Sequence, residues 1–164
     1  MSVSVRLIAP PKAAIVAAVD AGSRSPCAKS KRGVVIWHRA AVVSASSGHN
    51  AQPPGFECDG SVECRANCGK LCEHAEASAL RSLASPPHLH GVRTKLCDMV
   101  HAKVIDGELV PSGPPSCWQC SRAILADGRI GGVWLVHEAG WRRYGATEFH
   151  RLTLETCGLA RSSQ

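Results

Sequence analysis

The sequence predicts an α/β fold, a layered sandwich with a partly parallel sheet. One observation is that β-branched runs of strand length alternate along the chain with helix-like segments, the pattern that places helices over a parallel sheet. The other is that the 164 residues contain no linker, low-complexity tract or internal repeat. Residues 1–164 are therefore expected to form one domain, long enough to bury a core of ordinary size.

The elements follow in order. Ala13 to Val19 is small and apolar throughout and reads as a first helix, ending near Gly22. Gly33-Val-Val-Ile-Trp37 and Ala41-Val-Val-Ser44 read as two strands of a hairpin. Gly48, Pro53, Pro54 and Gly55 make Ser46 to Asp59 a loop. A second helix is expected from near Glu73 to about Leu83, with Ser85-Pro86-Pro87 ending it. Met99 to Ile105 reads as a third strand, followed by an Asp106-Gly107 turn and a loop from Pro111 to Pro115. A third helix starts near Ser116, a suitable N-cap, and carries Ala123, Ile124 and Leu125. Gly131 to Val136 is a fourth strand, and Thr147 to Cys157 a last helix.

Composition narrows the class. No apolar run is long enough to cross a membrane. Pro10, Pro11 and Lys12 break the apolar N-terminal stretch, which argues against a secretory signal and makes the cytoplasm the default location. The same stretch is rich in Arg, Lys and Ser, with Asp20 its only acid, so an organelle transit peptide stays open beside a plain N-terminal helix. The formal net charge of +6 favours anionic partners, and Arg24, Lys29, Lys31 and Arg32 concentrate it early. A solvated face would explain that run equally well. Without a basic repeat or interleaved aromatic platform, nucleic-acid binding is permitted and not indicated. Nine cysteines is an odd and high count, and no secretion signal accompanies it. Reduced thiolates that bind metal explain it better than disulfides.

His74-Ala75-Glu76, with Cys117-Trp118-Gln119-Cys120 further on, carries the chemistry. His74, Cys117 and Cys120 are three protein ligands for a zinc ion. A catalytic zinc takes three, because its fourth position stays open for water. Glu76, two residues past the histidine, is then a proton carrier beside that water. Cys117 and Cys120 share one face of a helical first turn. His74 and Glu76 open another helix and can both reach past its end. Two helix N-termini aimed at one metal favour thiolate and hydroxide. A structural knuckle closed by a fourth cysteine is the competing reading, and it leaves Glu76 beside His74 unexplained.

Five segments in this order, Ser25-Pro-Cys-Ala-Lys-Ser-Lys-Arg-Gly-Val-Val-Ile36, Ser47-Gly-His-Asn-Ala-Gln-Pro-Pro-Gly55, His74-Ala-Glu-Ala-Ser-Ala-Leu80, Cys117-Trp-Gln-Cys120 and Gly131-Gly-Val-Trp-Leu-Val136, resemble the cytidine deaminase-like superfamily, and within it the deoxycytidylate deaminase group. The likeness spans roughly residues 12–158. It implies a three-layer α-β-α sandwich with a mixed sheet, and a zinc-activated water that attacks C4 of a cytosine ring. Glu76 would take the water's proton, protonate N3 and deliver a proton to the departing ammonia. Backbone near Ala75 would bind the base carbonyl, and Asn50 matches the loop asparagine that contacts sugar or base in relatives; a plain turn residue is the alternative for Asn50. The sequence departs from the group at Ser116, where proline usually precedes the first cysteine, and at Ser78, where asparagine is common. No phosphate-binding residue can be matched.

The resemblance also implies a second, structural zinc, because Cys27 and Cys58 match positions that ligate one in some deoxycytidylate deaminases. Cys64, Cys68 and Cys72 follow at intervals of four, on one side of a helix or turn, and any two could complete a tetrahedral thiolate site. Cys27, Cys58, Cys64 and Cys68 are the expected set, with His88 and His90 as alternatives and free thiols as the competing reading. Cys97, Cys157 and Trp134 are expected in the core, and Trp118 near the pocket. Trp141-Arg-Arg-Tyr144 either touches substrate or its phosphate or is a solvated approach to the last helix. The expected substrate is a free cytidine-type nucleotide or nucleoside, dCMP first. A base within RNA or single-stranded DNA, riboflavin-pathway or guanine-type deamination, and a non-catalytic zinc-binding module remain open. Relatives usually assemble, so a homo-oligomer is expected.

Overall fold

The computed structural model describes residues 9–38, 46–83 and 97–159. The element order is α1 (Lys12–Ser23), β1 (Lys31–His38), β2 (Ser46–His49), α2 (Val62–Leu71), α3 (Ala75–Ser82), β3 (Cys97–Ile105), β4 (Glu108–Val110), α4 (Trp118–Asp127), β5 (Ile130–His137), β6 (Gly140–Gly145) and α5 (Ala146–Thr156). The sheet runs β2-β1-β3-β5-β6, with β4 paired to β3. β3 and β5 are parallel and the other pairs antiparallel, so the sheet is mixed.

Strand alternation sorts the side chains into two cores. Val35, Trp37, Val100, Ala102, Val104 and Trp134 face α1, which meets them with Ala14 and Ala18. Val34, Ile36, Met99, Val133 and Leu135 face the other way, toward Ala75 and Ala79 of α3, Ile124 of α4 and Phe149 of α5. The result is the expected three-layer α-β-α sandwich. The all-small face of α1 allows a very close approach to the sheet. A Cβ on Gly33 would lie 1.9 Å from Ala18 O and 2.3 Å from Gly22 N.

Several expectations need correction. Ser46–His49 is strand rather than loop, with Gly33 opposite His49 and Ile36 opposite Ser46. Its Ser-Ser-Gly-His composition has no strand character of its own, and pairing with β1 imposes the extended form. The hairpin partner expected at residues 41–44 and the helix terminator at 85–87 lie outside the described residues. The short β4 after the Asp106-Gly107 turn was not anticipated, and the helix or turn expected at Cys64, Cys68 and Cys72 is the helix α2. Trp141-Arg-Arg-Tyr144 is the edge strand β6, and its arginines are occupied. Arg143 donates to both carboxylate oxygens of Asp98, at 2.8 and 2.7 Å, and Arg142 pairs with Glu148. Of the two readings offered for that segment, the solvated approach to the last helix is met in part, since Arg142 and Arg143 are exposed and α5 follows at Ala146. Cys97 and Trp134 are in the core as expected. Cys157 is only half-buried at the end of α5, where its thiol donates to Ser116 O.

Gly33→Ala should be among the most damaging single-methyl changes in this chain, because the new carbon would run into the α1 backbone at Ala18 and Gly22, which leaves nothing flexible to yield. Destabilisation of about 3 kcal/mol or more is expected from overpacking, read as a shift in the denaturant midpoint. Near-wild-type stability would mean that α1 is not seated this closely on β1.

Candidate metal centre and active-site cleft

Two helix starts converge over the α3–α4 face of the sheet. α3 is held there by β2, for a Cβ on Gly48 would lie 2.5 Å from Ala79 N and 2.6 Å from Ala75 O. Beyond β2 the chain is pinned to the residue before His74, since Ala51 N–H donates to Glu73 O at 3.0 Å and Glu73 N–H to Ala51 O at 2.9 Å. His74 is the N-cap of α3 and makes no side-chain cap bond, so its ring is free to face the site.

α4 begins one residue later than the sequence suggests. Its N-cap is Cys117, not Ser116, and the Cys117 sulfur accepts the Cys120 N–H at 3.4 Å. A sulfur in this role is stabilised as a thiolate, which explains why the cap is the cysteine. Cys120 Sγ lies 3.4 Å from His74 Nδ1, and the donor atoms of His74, Cys117 and Cys120 all lie within 4.8 Å of one another. Ligand bonds of about 2.3 Å to sulfur and about 2.0 Å to nitrogen in a tetrahedron would set neighbouring donors roughly 3.5 Å apart. The three residues fit a zinc ion on distance and on ligand chemistry.

Their protonation suits the same role. Hydrogen bonding from Cys120 and His74 pulls the Cys117 thiol down to about 5, against the effect of burial. The same interactions leave Cys120 raised, through its bond with Cys117 and through burial. Cys117 also raises His74 to about 9.

Glu76 lies next to the triad, its side chain only 12% exposed. Burial pushes its carboxyl up, but His101, its own backbone N–H, His74 and Arg32 together hold it below the ordinary value. His74, Cys117 and Glu76 open into a cleft. Asn50, Leu135 and Phe149 line part of it, the run from Ser112 to Cys117 another part, and Lys29, Ser30 and Arg32 a third. Lys29 and Arg32 bring two cations against a single carboxylate in that lining.

Asn50 is placed in the cleft as expected and is 8% exposed. Its Oδ1 is committed to the Arg32 backbone N–H at 2.7 Å, so its carboxamide also extends the β1 edge. Ala75 is buried at the first turn of α3, where a helix leaves N–H groups without helical partners. Trp118 is exposed and stacks under Arg122 instead of lining the cleft. Arg32 and His101 are among the cleft residues that went unanticipated. Arg32 was absorbed into a basic run, although it stands two residues from Val34 and four from Ile36 and so shares their inward face. Its guanidinium bonds Ser30 Oγ at 2.8 Å and Ser112 O at 3.1 Å. His101 was hidden inside an apolar strand, where the same alternation was the available signal.

Of the expected second metal set, three sulfurs lie close together. Cys58 Sγ is 4.0 Å from Cys27 Sγ and 3.4 Å from Cys64 Sγ. Cys68 lies against the His74 ring and lines the cleft. Cys64 and Cys68 are one turn apart on α2, about 6 Å along the helix, and Cys58 meets the first. Among the described residues the one group of three or more donors within mutual reach of an ion is His74, Cys117 and Cys120. His88 and His90 lie outside the described residues.

No protein-family model and no curated protein matches the sequence. Among solved structures, a cytidine deaminase from Burkholderia pseudomallei superimposes with a TM-score of 0.53 at 20% identity, over 84% of this chain and 93% of that one. The chain has the cytidine deaminase-like fold. The dCMP deaminase of cyanophage S-TIM5, in apo form, aligns with a TM-score of 0.48 at 19% identity, over 74% of this chain and 77% of that one. On this cytidine deaminase-like scaffold, the triad, Glu76 and the cleft belong to one continuous site.

Zinc uptake should acidify the solution. At pH 7, His74 near 9 and the raised Cys120 each carry a proton that must leave, while Cys117 near 5 carries none. Release of about two protons per ion is expected, and affinity should fall as pH falls because protons compete for the same atoms. Titration of metal-free protein with zinc in weak buffer measures it. No proton release, or unchanged zinc content in Cys117→Ser, would remove this triad as the binding site.

Proposed function

We propose that the chain is a zinc-dependent hydrolytic deaminase that converts a cytosine-type nucleotide, dCMP first, to its uracil counterpart with release of ammonia. The observation that carries this is the convergence of His74, Cys117 and Cys120 beside the buried, ionised Glu76 in one cleft. A structural knuckle has no use for a carboxylate held at that place.

Zinc held by the triad supplies a Lewis acid that makes water nucleophilic at neutral pH. The remaining work falls to this chain's side chains. Glu76, held below its ordinary pKa, starts as a carboxylate and acts first as base. It takes a proton from the attacking water, passes it to ring N3, and serves the departing amine in the same way. The Ala75 N–H, at the start of α3, suits the carbonyl oxygen of the base. Leu135 and Phe149 supply apolar walls for the ring.

A free nucleotide is favoured over a nucleoside by the cations at the cleft. Lys29 is exposed at its rim and Arg32 is fixed within it by Ser30 and Ser112. Two cations of this kind suit a phosphate.

Ammonia release by zinc-loaded protein against dCMP, CMP, deoxycytidine, cytidine, guanine and short cytosine- or adenine-containing oligonucleotides tests the reading. Turnover of dCMP should drop at least about 1,000-fold in Glu76→Gln, with zinc retained. Unaltered turnover would remove Glu76 from the mechanism. Turnover of oligonucleotides alone would assign the site to a base within a strand, and silence throughout would favour a zinc-binding module. Lys29→Ala should raise KM for dCMP roughly tenfold, the loss of one charge-assisted contact, and leave deoxycytidine unchanged. Equal effects on both compounds would contradict a phosphate contact at Lys29.

A further inference from the structure

The two ligand cysteines of α4 are bracketed by serines, Ser116 before Cys117 and Ser121 after Cys120. Side chains of α5 hold both. The Cys157 thiol donates to Ser116 O at 3.2 Å, and His150 Nδ1 lies 2.8 Å from Ser121 Oγ. His150 and Cys157 stand about two turns apart on one face of α5, with the fully buried Thr153 between them.

The Ser121–His150 bond is the deeper of the two, since Ser121 is fully buried. Ser121 does not need it to place its proton, because its hydroxyl donates within its own helix to Trp118 O at 3.1 Å. With that single proton given away, the oxygen accepts from an N–H at His150 Nδ1. What the bond adds is a tie between two helices, at the residue next to a ligand. The ligand turn otherwise closes on itself. Cys120 N–H donates to the Cys117 sulfur at 3.4 Å, and Ser121 N–H to Cys117 O at 3.0 Å. The first of these uses a sulfur that an ion would also draw on. A hold on Ser121 from α5 keeps the turn in shape while that sulfur is shared.

We infer that His150 is a positioning residue of the metal site: through Ser121 it fixes the turn that carries Cys117 and Cys120 before an ion arrives. It touches neither the ion nor the substrate. The inference rests on the reading of His74, Cys117 and Cys120 as the metal site, and is independent of which base the enzyme takes.

The test is the zinc affinity of folded, metal-free protein, read by competition with a chromophoric chelator. His150→Ala should bind zinc about tenfold more weakly, the lower end for a group that orients a ligand from outside the metal's own shell. His150→Asn places a carboxamide nitrogen near the position of Nδ1 and should stay within about threefold of wild type, less than the loss of a whole hydrogen bond. Ser121→Ala should lose about as much as His150→Ala, and the double variant no more than either, because the same bond is broken in all three. Val104→Ala, in the core on the α1 side of the sheet, serves as the stability control: it should lower Tm and leave zinc affinity in place. Unmoved affinity in His150→Ala, His150→Asn as weak as His150→Ala, additive losses in the double variant, or an equal loss in Val104→Ala would each overturn the inference.

A second readout needs neither metal nor turnover. In metal-free His150→Ala, amide hydrogen exchange at Cys120 and Ser121 should be faster than in metal-free wild type, since the turn has lost its tie to α5. Exchange at the wild-type rate would count against the inference as directly as an unmoved affinity. Wild-type zinc content that survives Cys117→Ser would sink the triad and this inference together. Zinc lost in Cys117→Ser with affinity unmoved in His150→Ala would sink this inference alone.

Discussion

Everything in this site depends on bringing a histidine and two cysteines from separate helices to within a few ångströms of one point. The tolerance is small, because a tetrahedral ion holds neighbouring donors roughly 3.5 Å apart. The chain meets it with backbone rather than with long side chains. Gly48 lets the edge strand β2 touch the backbone of α3, and the Ala51–Glu73 bridge ties the loop beyond β2 to the residue before His74. On the other side, the Cys117 sulfur caps its own helix through the Cys120 N–H. The ligand therefore also defines where α4 starts, and displacing it would disturb helix and metal site together.

The second constraint is electrostatic. A carboxylate as buried as Glu76 would ordinarily take up a proton. It stays ionised because its interactions with His101, its own backbone N–H, His74 and Arg32 outweigh burial. Arg32 is itself held by uncharged oxygens, from Ser30 and Ser112, so its charge is not spent on a dedicated salt bridge. In the proposed function the basic residues of the β1 approach would serve two ends, keeping Glu76 ready as a base and drawing an anionic substrate. The arginines of β6 differ: Asp98 and Glu148 neutralise them, and they fasten the far edge of the sheet.

The alternation of strand and helix was legible in the sequence, as was the grouping of His74, Cys117 and Cys120, because each rests on local spacing. His74-x-Glu76 and Cys117-x-x-Cys120 sit at helix starts that their own neighbourhoods announce. What was not legible depends on tertiary pairing. Ser46–His49 becomes a strand because β1 offers a partner, and Trp141-Arg-Arg-Tyr144 because β5 does. The grouping of Cys27, Cys58 and Cys64, with Cys68 turned to His74, depends on where α2 lies, which sequence spacing does not set. Arg32 and His101 could have been found by extending the inward faces of Val34 and Met99 by two residues. Each was passed over because a charged residue in a basic run and a lone histidine in an apolar strand are ordinary features.

X-ray absorption at the zinc edge of the loaded protein is the most direct test of the central claim. With one ion per chain, a shell of two sulfurs near 2.3 Å and about two lighter atoms near 2.0–2.1 Å is expected, one of them the His74 nitrogen. A shell of four sulfurs would place the ion among the other cysteines and contradict the assignment of His74, Cys117 and Cys120 as the working metal site.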